Sequence, residues 1–305
     1  MGLSDRASDE LPYTIAKAVG LFVLSLALFD LMAVFIRLMI RQGFSPQELS
    51  AYRNTLGILP SVGLMIWTGE LRLKGTNLYI PQWKLALFRG GMVALAQLCF
   101  FTSIGFLELA TISALAQTNA LFVVALSVII LGERVGPWRW LAVAIGFTGA
   151  MLIIRPGSDT FSVWSLLPIA AALGYGLSMV TVRMFDRSIS SALLYVYSAA
   201  TSATVAFFLA YFTGGFTPIT SWLHVGGIFA LAMCGGTAVL IQMLAFRMTV
   251  PANLAPFTYF GLLFSFTYGW FFFGENPLAT LLPGVFLIVG AGALILWRDR
   301  IRKPG

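Results

Sequence analysis

The sequence predicts an all-α integral membrane protein: ten transmembrane helices built as two inverted five-helix repeats, with both termini cytoplasmic. Three observations carry that expectation. Hydrophobic residues make up 59% of the 305 residues and charged residues 10%, with a mean hydropathy of +0.89, more apolar surface than a soluble domain of this size can hide. Ten apolar runs, each of about 20 residues as a spanning helix requires, follow one another with short connections. A stretch from Ala110 to Leu131-Gly132-Glu133 recurs as Pro251 to Phe273-Gly274-Glu275, its Gly-Glu end 142 residues further on.

The expected spans are 16–36, 47–68, 84–104, 109–131, 136–154, 162–182, 190–213, 222–246, 250–273 and 278–297. Residues 1–15 read as a polar cytoplasmic tail, and the first span reads as retained, since no clear small-residue cleavage site follows it. Span two has an interior Pro60, and span three carries Gly90-Gly91. Span four holds the polar run Gln117-Thr118-Asn119, and span five opens at Pro137 and contains Gly146 and Gly149. Together the first five make a repeat over 16–156. In the second repeat, 157–297, span six has Pro168 and Gly174-Tyr175-Gly176, and span eight has Gly235-Gly236. Span nine opens at Pro251 and includes Pro256, and span ten carries Pro283, Gly290 and Gly292 ahead of a basic tail, 298–305. Paired glycines let helix backbones approach closely. Pro60, Pro168, Pro256 and Pro283 are expected to kink their helices and free a carbonyl each.

Charge sets the orientation. With the N-terminus inside, fourteen Lys and Arg residues fall on the cytoplasmic side and three, Arg37, Arg41 and Arg155, on the other, while Arg53 and Arg89 lie within spans. The positive-inside rule then puts both termini in the cytoplasm, in an inner (cytoplasmic) membrane. Because each half has five spans, the second enters inverted, which places Glu133 on the inner face and Glu275 on the outer. The net charge of +7 sits at helix ends rather than on one face, so it does not point to nucleic acid. Cys99 and Cys234 lack CxxC spacing and read as buried packing residues; no metal or other cofactor is expected.

At this point the residues resemble the drug/metabolite transporter superfamily, in its ten-helix EamA-type permeases, across nearly the whole chain. The resemblance rests on Tyr52-Arg53, on Leu131-Gly132-Glu133-Arg134 followed by Trp140-Leu141-Ala142, and on Gly146, Gly149 and Ile154-Arg155-Pro156-Gly157. In the second half it rests on Ala255-Pro256-Phe257-Thr258-Tyr259 and Phe273-Gly274-Glu275. This chain has Asn119-Ala120 where many relatives carry a proline in helix four, so a weaker kink is expected there. The resemblance implies a central cavity lined by helices one, three, four, six, eight and nine, with helices five and ten outside and linked to dimer contacts. It implies coupling to protons or to exchange, and no ATP. The chain has no Gly-rich loop ending in Lys-Ser or Lys-Thr.

A charge near the bilayer centre costs about 2.5–3.5 kcal/mol on insertion scales, so each one needs a reason. Asp30 reads as a proton carrier, as a binder of a substrate ammonium, or as a structural partner of Arg53. Arg89 reads first as snorkelling to the headgroups, although helical spacing puts it on one face with Val93, Gln97 and Phe100 or Phe101. Gln97, Gln117 and Asn119 are amides at membrane depth that need partners, and they are candidates for cavity lining as well as for interhelical glue. Tyr175, Gln242, Phe257 and Tyr259 complete the candidate substrate-binding or coupling set, since rings with a few amides suit a small, partly apolar ligand. Glu133 and Glu275 read as helix-end residues, and His224 as a bystander at the membrane border.

The function expected from these features is secondary transport of a small organic metabolite by alternating access, with proton coupling or exchange. The ligand would be amino-acid-like, a vitamin, or nucleoside- or cofactor-like. A flippase of the same fold is the alternative. An integral-membrane enzyme is disfavoured, because one His and scattered carboxylates make a catalytic cluster hard to assemble. The expected partners are the small-molecule substrate, the lipid bilayer, protons and a second copy of the chain.

Overall fold

Helix boundaries follow from capping and proline chemistry. The computed structural model describes residues 4–67, 81–132, 137–155, 162–181, 184–186, 191–249, 254–277 and 281–301, and among them every regular element is helical. Helix α1, Ser4–Arg41, runs back into the segment expected to be a polar tail. Ser45 then caps α2, Pro46–Leu56: its side chain accepts from the Glu48 N–H at 3.2 Å, with Pro46 in the first turn. There the missing proline N–H costs nothing. The second expected span does not continue unbroken. It stops at Gly57 and resumes as α3, Leu59–Trp67, with Pro60 in its first turn. A proline has no N–H for the helical hydrogen bond to the preceding turn, and its ring crowds the carbonyl there.

Span three is α4, Trp83–Ile104. Span four is broken in two, α5 Leu109–Ala116 and α6 Asn119–Leu131, although no proline lies there. Gln117 and Thr118 keep right-handed helical dihedrals, and the two segments together form one stretch long enough to span, Leu109–Leu131. The Thr118 hydroxyl donates to Leu115 O at 2.6 Å, and the Gln117 N–H is shared between the carbonyls of Ser113 and Ala114. Side-chain competition of this kind replaces what a proline does elsewhere. Helix α7 spans Pro137–Ile154; a 3₁₀ turn, Val163–Ser165, leads into α8, Leu166–Thr181, so Pro168 sits in a first turn rather than at an interior kink. Next come α9, Ser191–Thr213, and α10, Trp222–Met248, the latter capped by Ser221. Span nine is a 3₁₀ stretch, Ala255–Tyr259, holding Pro256, followed by α11, Phe260–Phe273. The last helix, α12, covers Gly284–Ile301, which leaves Pro283 ahead of the helix and corrects its expected place inside one.

Six of these helical segments are long and apolar enough to cross a membrane: Ile15–Arg41, Trp83–Ile104, Leu109–Leu131, Val163–Thr181, Tyr195–Thr213 and Trp222–Gln242. Two shorter apolar helices, Trp140–Ile154 and Phe257–Phe273, accompany them. Exposed Trp222, Phe212, Ile129 and Phe271 cover the outside of the bundle, as a lipid-facing surface requires. The chain is therefore a multi-pass membrane protein.

The helices pair in a regular way. The closest partners are α1 with α10, α4 with α8, α7 with α12, and α2 with α9. Exchanging each helix of the first half for its counterpart in the second turns the α1–α10 pairing into the α8–α4 pairing and returns the other two to themselves. Backbones approach closely at the α7–α12 crossing and also where α10 crosses the α2–α3 break. A methyl on Gly236 of α10 would meet Gly57 O at 2.3 Å, and one on Gly149 of α7 would meet Gly284 O at 2.6 Å. The repeated Leu/Phe-Gly-Glu motifs end their helices alike: Gly132 at φ 67° and Gly274 at φ 66° both adopt the left-handed conformation. Their N–H groups return to Ser127 and Val128 in one case and to Gly269 and Trp270 in the other, again 142 residues apart. Glu133, Arg134, Arg183, Pro251 and Asn253 lie outside the described residues.

Candidate functional site

Asp30 lies partway along α1, where the helix faces α10, α11 and α4. Its carboxylate accepts a hydrogen bond from Ser265 Oγ of α11. The expected pair with Arg53 does not form. Arg53, 7% exposed, donates instead to Asn54 Oδ1 at 3.0 Å and to Gly235 O at 3.5 Å. Its guanidinium fits because position 235 has no side chain: a Cβ there would come within 2.9 Å of Arg53 Nε. Asn54 Nδ2 in turn donates to Gln97 Oε1 at 2.6 Å, and Ser50 Oγ donates to the same oxygen at 3.1 Å. The amide of Gln97 thus finds its partners on α2, and Arg53, Asn54, Gln97 and Ser50 form one buried polar chain between α2, α4 and α10.

This chain borders a cavity of about 430 Å³. Asp30, Arg53, Gln97, Asn119, Tyr175 and Gln242, six of the nine candidate residues, line it. So does the α4 face Arg89, Val93, Gln97, Phe100 and Phe101. Arg89 does not snorkel outward as its first reading had it. Its Nε donates to Ser178 O at 3.2 Å and its terminal nitrogen to Ser198 Oγ, so α8 and α9 draw it into the bundle. A smaller cavity of about 150 Å³ lies beside the first, and Phe29, Asp30 and Phe100 border both. Gln117 faces this smaller space, its Nε2 donating to Thr258 O at 3.4 Å.

Phe257 and Tyr259 are placed elsewhere. Phe257 packs against the cluster of Ala18, Phe22, Ala245 and Leu254, and the Tyr259 hydroxyl donates to Val289 O of α12 at 3.1 Å. Among the described residues of the same 3₁₀ stretch, 255–259, only Thr258 borders a cavity. The expected lining is corrected in a second respect: span nine reaches only the smaller cavity, through Thr258, Gly261 and Ser265, while α2 and α9 supply much of the larger wall. Among the described residues, neither α7 nor α12 contributes to either cavity, in keeping with an outer position for spans five and ten. Sequence reasoning passed over Asn54, Tyr195, Ser178, Ser198 and Ser202. The serines of α9 recur at 198 and 202, one turn apart, and that polar stripe was the available signal.

At the end of the bundle where α1 terminates, a buried ionic hub closes the structure. Arg37, 6% exposed, donates through Nε to Ile104 O at 2.8 Å. Its other nitrogens donate to the Glu275 carboxylate and to Leu107 O. The second oxygen of Glu275 accepts from the Leu109 N–H at 2.9 Å, capping α5. Glu275 is therefore a helix-end residue as read from sequence, and it also ties α1, α4, α5 and α11 together. The guanidinium groups of Arg37 and Arg41 each lie 4.8 Å from the centre of the Phe273 ring. Burial and nearby Glu275 push the carboxyl of Glu108, in the adjoining loop, above the usual carboxylate range, against the pull of Arg37 and the Thr111 hydroxyl. Met32, Phe44, Leu49, Phe101 and Ile104 pack beneath the hub.

Comparison with known proteins gives this architecture a context. Residues 16–155 match the model of the EamA-like transporter family. A riboflavin transporter of Rhizobium johnstonii is 33% identical over 63% of this chain and 63% of its own length, so that match spans under two thirds of either protein. The pseudopaline exporter CntI of Pseudomonas aeruginosa is 26% identical over 81% of this chain and 85% of its own. An S-adenosylmethionine uptake transporter of Rickettsia bellii is 21% identical over 94% and 96%. A solved crystal structure shares the fold, with a TM-score of 0.65 over 94% of this chain and 99% of that one at 17% identity.

Proposed function

From a chain that carries an EamA-family transporter domain, we propose a secondary transporter that moves a small organic metabolite across the inner membrane by alternating access. The carrying observation is a cavity inside an apolar bundle, with arginine, amide and hydroxyl groups set in a largely apolar wall built from residues of both halves of the chain. A space of about 430 Å³ is within the roughly 300–1,000 Å³ usual for small-molecule sites. The relatives named for riboflavin, pseudopaline and S-adenosylmethionine support a metabolite of that general size.

In this reading the ten spans form two inverted repeats, 16–156 and 157–297, with both termini cytoplasmic. The exchange symmetry of the helix pairings and the matching ends at Gly132 and Gly274 support it. Two near-equivalent packings of such halves open to opposite sides around one site. The Arg37–Glu275 hub then closes the outer end, and the cavity extends away from it toward Arg89, Ser178 and Ser198. Asp30 sits where the two cavities meet, on a helix packed against both α10 and α11. We assign it the coupling role: taking up a proton weakens its hold as an ionic acceptor for Ser265 and frees α1 from α11. Gln97, Gln117, Asn119, Tyr175 and Gln242 contact substrate or shape its path, with Phe257 and Tyr259 supporting span nine from behind. A second copy of the chain docking on spans five and ten is the proposed dimer.

The test is transport by purified protein in liposomes, screened across amino acids, nucleosides, vitamins and S-adenosylmethionine with an imposed pH gradient. Accumulation or exchange of one class above empty liposomes is the expected result. No flux of any compound, in vesicles that pass a control for intact, folded protein, counts against the proposal.

A further inference from the structure

The cavity lining carries more positive than negative charge, and among the described residues no carboxylate pairs with the excess. Two guanidinium groups, Arg53 and Arg89, face it, with one carboxylate, Asp30, already engaged by Ser265. Among the described residues the ion pair is Arg37–Glu275, at the far end, so neither cavity arginine has a carboxylate partner. Among the described residues Arg53 meets neutral oxygens, those of Asn54 and Gly235, and its Nε has no acceptor. Arg89 likewise meets a carbonyl and a hydroxyl. A buried guanidinium offers five donors in a planar fork that matches a carboxylate or phosphate. Two such forks on neutral partners inside a membrane have the chemistry of an anion site.

The rest of the wall restricts what the anion is attached to. Phe29, Phe100, Phe101 and Tyr175 give it an aromatic side. Among the described residues the buried Asn119 Oδ1 and Tyr195 Oη have no hydrogen-bond partner. Arg89 and Gln97 are two turns apart on α4, about 12 Å, and Gln97 is joined through Asn54 to Arg53. The two cations therefore stand at successive depths, Arg89 nearer the end opposite the hub and Arg53 at the level of the amides.

We propose that the transported solute is an organic anion with an aromatic or other flat apolar body, whose carboxylate is held by Arg53 and handed to or from Arg89 along the cavity. This rests on the transporter reading above. The body lies among Phe29, Phe100 and Phe101, and a polar hydrogen on it satisfies Asn119. Arg53 acts as the anchor because the Asn54–Gln97–Ser50 chain and the gap left by Gly235 hold its side chain in place.

The experiment uses the full chain in lipid nanodiscs and matched pairs of probes: benzoate and benzamide, nicotinate and nicotinamide, indole-3-acetate and indole-3-acetamide. Binding is read as a shift of the thermal midpoint with ligand concentration. The acid of at least one pair is expected to bind about tenfold or more tighter than its amide, as charge-assisted bonds to a desolvated guanidinium imply. R53Q is expected to erase that preference, and R53K, which keeps the charge without the fork, to keep part of it. If no acid binds better than its amide, or if folded R53Q and R89Q both keep the wild-type preference, the anion assignment is overturned. Uptake of the same pairs into proteoliposomes separates the two levels. Movement of amides but not acids overturns the anion assignment and leaves transport standing. Acid-selective binding without flux of any solute supports the anion site and removes the transporter reading.

Discussion

Arg37 and Asp30 sit on one helix seven residues apart and meet opposite conditions. Arg37 has a full ionic partner in Glu275, whereas Asp30 has only a hydroxyl from Ser265. Breaking a buried pair by removing one member leaves an uncompensated charge and typically costs about 3–5 kcal/mol. Glu275→Gln should therefore lower the thermal midpoint of the purified protein markedly; a midpoint equal to wild type would mean the hub does not hold the closed end. Asp30→Asn should leave expression and midpoint near wild type, since amide and hydroxyl can still bond, while removing the dependence of uptake on a pH gradient. Undiminished, gradient-dependent uptake in that variant takes Asp30 out of the coupling step. At Gly235 the backbone decides a side chain: a methyl there collides with Met32 and with Arg53 Nε. Gly235→Ala should weaken substrate binding about tenfold or more by shifting Arg53, and a titration giving the wild-type constant rules that out.

Elements in this bundle are broken where the cavities need them broken. The interruption between α5 and α6 occurs at Gln117-Thr118 and that before α11 at Tyr259-Phe260, positions 142 residues apart in the repeated stretch. One break contains a proline nearby and the other does not, so the geometry is kept while its local cause differs. Freed carbonyls at such breaks are tolerated in a membrane only inside protein or beside a cavity; the carbonyl of Thr258 indeed accepts from Gln117. The crossing of α10 with the α2–α3 break depends on bare backbone at Gly57 and Gly236. Gly236→Ala should destabilise by about 1–3 kcal/mol, the range for forcing atoms into a packed site. Chemical or thermal denaturation in detergent measures this, and a neutral effect would mean that the crossing has slack.

At the scale of the whole molecule the proposed orientation rests on the distribution of Lys and Arg. Labelling decides it. With Cys99 and Cys234 replaced by serine, a cysteine at Gly43 should react with an impermeant maleimide added to intact spheroplasts. One at Asp186 should react only after the membrane is opened. The reverse pattern inverts the assignment of the hub to the outer face and of the Arg89 end to the inner.

The sequence alone determined the membrane class, nearly all the helical segments, the Gly-Glu repeat and most of the polar residues around the cavity. Hydropathy and helical periodicity are local properties, and a polar side chain in an apolar run stands out whatever it touches. Tertiary structure alone decided the partners. Arg37 and Glu275 are 238 residues apart and Ser265 and Asp30 235, distances at which no local pattern pairs one residue with another. It also turned Arg89 inward, because Ser178 and Ser198 from two other helices offer it oxygens closer than the headgroups. It placed Phe257 and Tyr259 outside the cavity, because Ala18, Phe22, Ala245 and Leu254 offer the first a packed cluster and the Val289 carbonyl offers the second an acceptor. Where a group finds its satisfaction depends on what the other helices bring to it, and that is a property of the packed bundle rather than of the span.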